Sequence, residues 1–201
     1  MLMAVGVLPL VILITQSESL LMINGNNSKI LDQLMYHITR LPELFMIVFV
    51  IVLSAFHERK VFLSTIIAMS ICGLSIVIFK QIIFSDFERP LAWLSSNKIN
   101  YHKVDGIKLH SNGSFPSGHT MSAFCALAIA GFISKNGFVQ FLLFLLACAS
   151  AYSRVYVAQH YLMDVYAGAL IGYFYALLIY QLFSNKLRTP YWQNSIFRKN
   201  T

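Results

Sequence analysis

The chain has 201 residues, 57% of them hydrophobic and 11% charged, with a mean hydropathy of +0.65. A soluble domain runs about 45–50% apolar and about 25% charged, and here the excess is gathered in runs nearly free of ionisable side chains, which excludes disorder, collagen-like repeats and an ordinary soluble fold. The net charge of +7 forms no single basic face, so it fits anionic headgroups and loop orientation rather than nucleic acid.

Taken in chain order, apolar runs at 1–15, 41–56, 61–79, 119–133, 138–153 and 165–183 predict membrane helices. Crossing a hydrocarbon core of about 30 Å takes about 20 residues. The shorter runs must therefore extend into polar flanks or sit tilted. The expected fold is all-α: a polytopic membrane bundle of six transmembrane helices, forming one domain over 1–201. The first run lacks a basic n-region and an A-x-A-like cleavage site, so it reads as a retained span rather than a signal peptide. Between the first two runs, 28–40 (SKILDQLMYHITR) carries Ile30, Leu31, Leu34, Met35 and Ile38 at helical spacing. It predicts an amphipathic helix at the interface. In the last run Gly168, Gly172 and Ala176 recur every four residues, a pattern for close helix packing. Cys72, Cys125 and Cys148 lie in apolar runs without CxxC spacing, and read as small apolar filler.

Loop charge gives the orientation. With the N-terminus cytoplasmic, the inner segments 57–60, 135–137 and 185–201 hold seven of the Lys and Arg residues, Arg198 and Lys199 among them, in 24 residues. The outer segments hold the other eight in far more sequence. The long loops are thus expected outside. Lys80, Arg89, His119, Arg154, His160 and Asp164 then fall at the same ends of their helices. Ionisable groups bordering a bilayer mark a functional site by default.

Three stretches carry chemistry. Lys80 closes the third run, and Arg89 precedes the helix-stopping Pro90; Asp86 and Glu88 lie between and are placed to hold the arginine. In Phe115-Pro116-Ser117-Gly118-His119, Ser117 reads as the N-cap of an apolar helix. A helix N-terminus suits a phosphate, Gly118 lets the backbone approach it, and His119 stands ready to donate a proton. In Ser153–Asp164, His160 and Asp164 are four apart, on one face if the segment is helical. The carboxylate would fix the imidazole tautomer, and Arg154 offers a fork matched to phosphate oxygens. The loop 91–114, with Lys98, His102, Lys103, Lys108 and His110, is expected to roof these groups, where its basic side chains would touch a headgroup.

Together these stretches resemble the type 2 phosphatidic acid phosphatase (PAP2) superfamily, whose signature is a lysine before Arg-Pro, then Pro-Ser-Gly-His, then Ser-Arg-x5-His-x3-Asp. The later two elements match at Pro116–His119 and Ser153–Asp164. The first departs, because eight residues rather than six separate Lys80 from Arg89. An unbroken helix would turn Arg89 away from Lys80, whereas a break near Ser85-Asp86 restores their convergence. The core motifs span 80–164.

The resemblance implies an integral membrane lipid phosphatase. His160 would be the nucleophile, forming a phosphohistidine, with Asp164 orienting it. His119 would protonate the leaving oxygen and then activate water. Lys80, Arg89, Ser117, Gly118 and Arg154 would hold the phosphoryl oxygens. No metal or other cofactor is expected, since the scheme requires none. The expected partner is a phosphorylated lipid: phosphatidic acid, phosphatidylglycerol phosphate, an isoprenyl pyrophosphate or lipid A. The expected place is a bacterial inner membrane, with the site on the outer face. A lipid phosphotransferase would use the same residues with a hydroxyl replacing water. A non-catalytic lipid-phosphate binder would need only the basic ones.

Overall fold

The computed structural model describes residues 15–42 and 44–197. The first expected span and the basic residues Arg198 and Lys199 lie outside them. Helix α1 (Gln16–Gly25) opens on a capping box, in which Thr15 Oγ1 accepts the Glu18 amide and the Glu18 carboxylate accepts the Thr15 amide. No helical stripe of apolar residues marks this helix in the sequence. Helix α2 (Lys29–Arg40) is the expected amphipathic one, capped by Ser28 Oγ, which accepts the Leu31 amide at 3.2 Å. Its stripe is divided: Met35 is buried inward with Thr39, while Ile30 and Leu34 are exposed.

The bundle follows as α3 (Leu44–Ala55), α4 (Arg59–Ile78), α6 (Gly118–Ile133), α7 (Gly137–Tyr156) and α8 (Leu162–Lys186). Short helices α5 (Pro90–Ser96) and α9 (Pro190–Gln193) lie in the connections. Each of the five described apolar runs is therefore helical. Among the described residues, three helical stretches, Arg59–Ile83, Gly137–Tyr156 and Leu162–Lys186, are long and apolar enough to cross a membrane, with a fourth span if α2 and α3 act as one bent pair. At 1.5 Å per residue, α3 and α6 alone reach only about 18 and 24 Å, short of a hydrocarbon core of about 30 Å.

The core sits where α6 packs against α8, α7 and α4. Small side chains make this close: Ala68, Cys72, Ala123, Cys125, Ala126 and Ala176 are all buried. The Gly168–Gly172–Ala176 stripe of α8 faces α6. A Cβ on Gly168 would stand 2.7 Å from the Ser117 carbonyl oxygen, and one on Gly172 would overlap the Met121 carbonyl. In lipid, helix association relies on this kind of close backbone packing. Phe49, Phe141 and Phe174 point outward and are more than half exposed, the arrangement expected of faces solvated by acyl chains. Because α4, α6, α7 and α8 alternate in direction, the C-termini of α4 and α7 and the N-termini of α6 and α8 meet at one end. That end carries the site.

Candidate active site

Helix α4 does not simply stop at Lys80. Its last turn widens into a π-helical turn over Phe79–Ile83, then breaks at Phe84–Phe87. A π turn accommodates surplus residues in a helix, and the break follows close to Ser85-Asp86, where the spacing required one. The result is convergence: Lys80 Nζ donates to the Gly113 carbonyl at 2.8 Å, and Arg89 Nη2 donates to the same oxygen at 3.2 Å. Arg89 is buried and further held through Nε to the Asn112 carbonyl at 2.9 Å and Nη1 to Gln159 Oε1 at 2.5 Å. The arginine is therefore held by carbonyls and an amide, in place of Asp86 and Glu88.

The Pro116–His119 segment opens α6 as expected, with one difference. Ser117 is the N-cap by backbone conformation, but its side chain makes no cap; its Oγ accepts from Thr120 Oγ1 at 3.0 Å. Packing fixes the helix start instead. The Ser117 amide donates to the Asp164 carbonyl at 3.0 Å, and Gly168 lies against the Ser117 carbonyl. The first-turn amides of a helix lack intrahelical acceptors, and Gly118 and His119 line the cavity there.

Between α7 and α8 the chain folds back on itself. Ala158 takes a left-handed φ of 53°, and the Arg154 carbonyl accepts the amides of Gln159 and His160. His160 thus lies in the turn before α8, not on a helix with Asp164. Asp164 still reaches it from the third position of α8: its Oδ2 is 3.4 Å from His160 Nδ1, and also accepts from Ser114 Oγ at 2.5 Å and the Tyr161 amide at 2.9 Å. The carboxylate thereby caps α8 and orients the imidazole together. Arg154 Nη1 donates to Thr39 Oγ1 of α2 at 2.5 Å. His160 is 1% exposed. Burial, then the positive charges of Arg154, Arg89 and Lys80, hold its basicity well below the ordinary imidazole value. The neutral imidazole, which carries a lone pair, is thereby favoured.

A cavity of about 540 Å³ opens beside these groups. Of the expected site residues, Lys80, Arg89, Gly118, His119 and Arg154 line it; Ser117, His160 and Asp164 are buried next to it. From the roof loop only Lys108 and His110 among the named basic residues reach the wall. His102 instead contacts Asp32 Oδ1 at 2.8 Å, and Lys103 sits over the Tyr101 ring. Four participants were not foreseen: Thr39, Arg40, Ser114 and Gln159. Thr39 had a signal, as a polar residue one turn after Met35 on the apolar side of an amphipathic helix. Ser114 and Gln159 act only through tertiary contacts.

The PAP2 superfamily profile matches residues 59–188. The chain belongs to the PAP2 superfamily. Its fold overlays two solved PAP2-like structures. One is LpxE of Aquifex aeolicus, at a TM-score of 0.71 and 22% identity over 81% of this chain and 92% of that one. The other is the first transmembrane PAP2 type phosphatidylglycerolphosphate phosphatase, from Bacillus subtilis, at a TM-score of 0.67 and 23% identity over 86% of each chain. In sequence, this PAP2 protein is 36% identical over 94 residues to the bacitracin transport permease protein BcrC of Bacillus licheniformis. That match takes in 46% of this chain and 41% of the relative, less than half of either. The apolar helices and the family place the protein in a membrane as an integral component.

Proposed function

We propose that this PAP2 protein is a lipid phosphatase that cleaves a phosphomonoester or diphosphate on a membrane lipid through a phosphohistidine. The observation that carries it is a buried His160 whose Nδ1 faces Asp164, beside a cavity lined by Lys80, Arg89, Arg154 and His119. With Nδ1 turned to Asp164, Nε2 keeps the lone pair. Nε2 attacks phosphorus; the bond from phosphorus to the leaving oxygen breaks, and His119 supplies that oxygen's proton. Water then attacks the phosphohistidine, His119 takes its proton, and the P–N bond breaks to release phosphate. Lys80, Arg89 and Arg154, with the Gly118 amide, offset the charge on the equatorial oxygens. Ser117 supports this anion site through the helix start rather than through a side-chain cap.

The scheme needs no metal and no organic cofactor. The substrate is drawn from phosphatidic acid, phosphatidylglycerol phosphate, isoprenyl pyrophosphate and lipid A. Lys and Arg density supports an outer-face site, and the bacterial sources of the similar proteins support a bacterial inner membrane. The BcrC name describes a transport protein, but binding or transport alone gives no reason to keep a general acid and an oriented nucleophile. Purified wild type should release phosphate from at least one of the four lipids, and His160→Ala should fall by about a thousandfold or more. Unchanged turnover in His160→Ala would remove the phosphohistidine.

A further inference from the structure

The cavity holds more positive charge than one phosphoryl group needs. Five Lys and Arg side chains line it and no Asp or Glu does, among the described residues. Lys80, Arg89 and Arg154 come from the motif segments. The other two, Arg40 and Lys108, come from α2 and the roof loop, on parts of the chain with no motif. A phosphoryl group being transferred carries about two negative charges, which the inner three cations already exceed.

Of the outer two, Arg40 is held through its side chain and Lys108 through its backbone. Arg40 lies over the Tyr36 ring, 4.1 Å from its centroid, and its Nη2 donates to the Gly106 carbonyl at 3.4 Å. Gly106 is in the left-handed region, φ 77°, and a Cβ there would stand 2.9 Å from Tyr36 Cε2. Tyr36, Arg40 and Gly106 thus clamp α2 against the roof loop, two residues before Lys108. Lys108 is tied to the inner cations by Gln159, whose Oε1 accepts from Arg89 and whose Nε2 donates to the Lys108 carbonyl. One amide side chain therefore links the Arg89 guanidinium to the backbone of Lys108, whose exposed side chain borders the cavity.

We infer that Arg40 and Lys108 form a second anion subsite, which holds a further phosphate of the substrate headgroup beyond the one transferred. His110, on the same wall, completes its rim. The inference rests on the phosphatase reading and narrows it to headgroups bearing two phosphates. Either a diphosphate or a phosphomonoester beside a phosphodiester meets that requirement. Rim charge acting only by long-range steering would favour all anionic lipids alike; a subsite discriminates among them.

The test uses the full chain in detergent, as wild type, Arg40→Gln, Lys108→Ala and the double variant. It compares kcat/KM on an isoprenyl diphosphate and on phosphatidylglycerol phosphate with that on phosphatidic acid. Removing one charge-assisted contact should lower the ratio for a two-phosphate lipid by roughly tenfold, and the double variant should lower it further. Loss confined to the diphosphate assigns the subsite to a bridged second phosphate; loss confined to phosphatidylglycerol phosphate assigns it to a phosphodiester. Equal loss on all three lipids, or no loss, overturns the subsite. A binding measurement separates this from failure of the phosphatase reading. Inorganic diphosphate should raise the wild-type Tm more than orthophosphate does, and the double variant should lose that excess. Equal shifts in the wild type also overturn it, whether or not any lipid is turned over.

Discussion

The two walls of the cavity are built by different means. The inner wall, from α4, α6 and α8, is held by close backbone packing along the glycine stripe and by buried hydrogen bonds. The outer wall, from α2 and the roof loop, is held by a small apolar cluster of Met35, Val104, Tyr156 and Val157 and by a few polar links. Asp32 Oδ1 accepts from Tyr156 OH at 2.6 Å and meets His102 Nε2 at 2.8 Å, while Asn24 bonds the backbone of His102 and Tyr156. In the proposed reaction the inner wall fixes where a phosphoryl group reacts, and rigid placement of charge is what stabilises a transition state. In the same proposal the outer wall meets the variable part of a substrate, and the less stable parts of a fold are the ones free to move for binding.

The sharpest way to break this comparison is to overfill the inner wall. Gly172→Leu puts a side chain where even a Cβ overlaps the Met121 carbonyl, and it should destabilise the fold by at least about 3 kcal/mol. Gly131→Ala is the matched control. Gly131 lies on α6 with nothing within 4 Å of its added Cβ, so helix propensity alone should leave it as stable or slightly more so. Thermal unfolding in detergent reads both. Equal midpoints for the two variants would mean that α8 does not position the Pro116–His119 segment by close packing.

How much of this was legible beforehand divides along the same line. The inner wall was readable because its residues lie in contiguous motifs and its packing in a four-residue repeat; Gly168, Gly172, His119, Arg154, His160 and Asp164 all meet at the expected end. Even the long Lys80–Arg89 interval pointed to a break, although a π turn leaves no mark in composition. Two local details differ from expectation. Ser117 starts α6 without a side-chain cap, and His160 meets Asp164 from a turn rather than from a shared helix, because backbone contacts from α8 and Arg154 set their positions. The outer wall was largely hidden. Arg40 is adjacent to Thr39 on a helix whose apolar stripe explained it without reference to the site, and Gln159 looks like a spacer between Arg154 and His160. Contacts between distant, unpatterned residues have no sequence period to reveal them.

A smaller effect is expected from loosening the outer wall. Asp32→Asn removes the charge that two partners share, and should lower stability by about 2 kcal/mol. Its effect on catalysis should appear mainly in KM, because the roof loop and α2 present binding groups while His160, His119 and Asp164 stay in place. Amide exchange along 97–113 should quicken, with the first turn of α6 unchanged. A fall in kcat with KM unaltered would place this latch within the reacting centre and erase the distinction between the walls.

The shallowest effect is a pH dependence from His160. Its ordinary value is 6.5, and in the fold it lies well below that, chiefly through burial and then through the Arg154 charge. Below pH 6.5 the unfolded chain therefore binds a proton at this position that the folded protein does not. The state that binds more protons gains as pH falls, so stability should decline from pH 7 towards pH 5, by at most about 1.4 kcal/mol per unit from this group. His110, on the rim, is shifted in the same direction by partial burial and Arg89, but its exposure makes it a weak contributor. His160→Asn should lessen the acid-side slope of the Tm profile while His110→Asn barely changes it. If the two variants flattened it equally, the proton would be excluded by the charge of the whole cavity rather than by the buried position of the nucleophile, and the inner wall would have no special hold on its histidine.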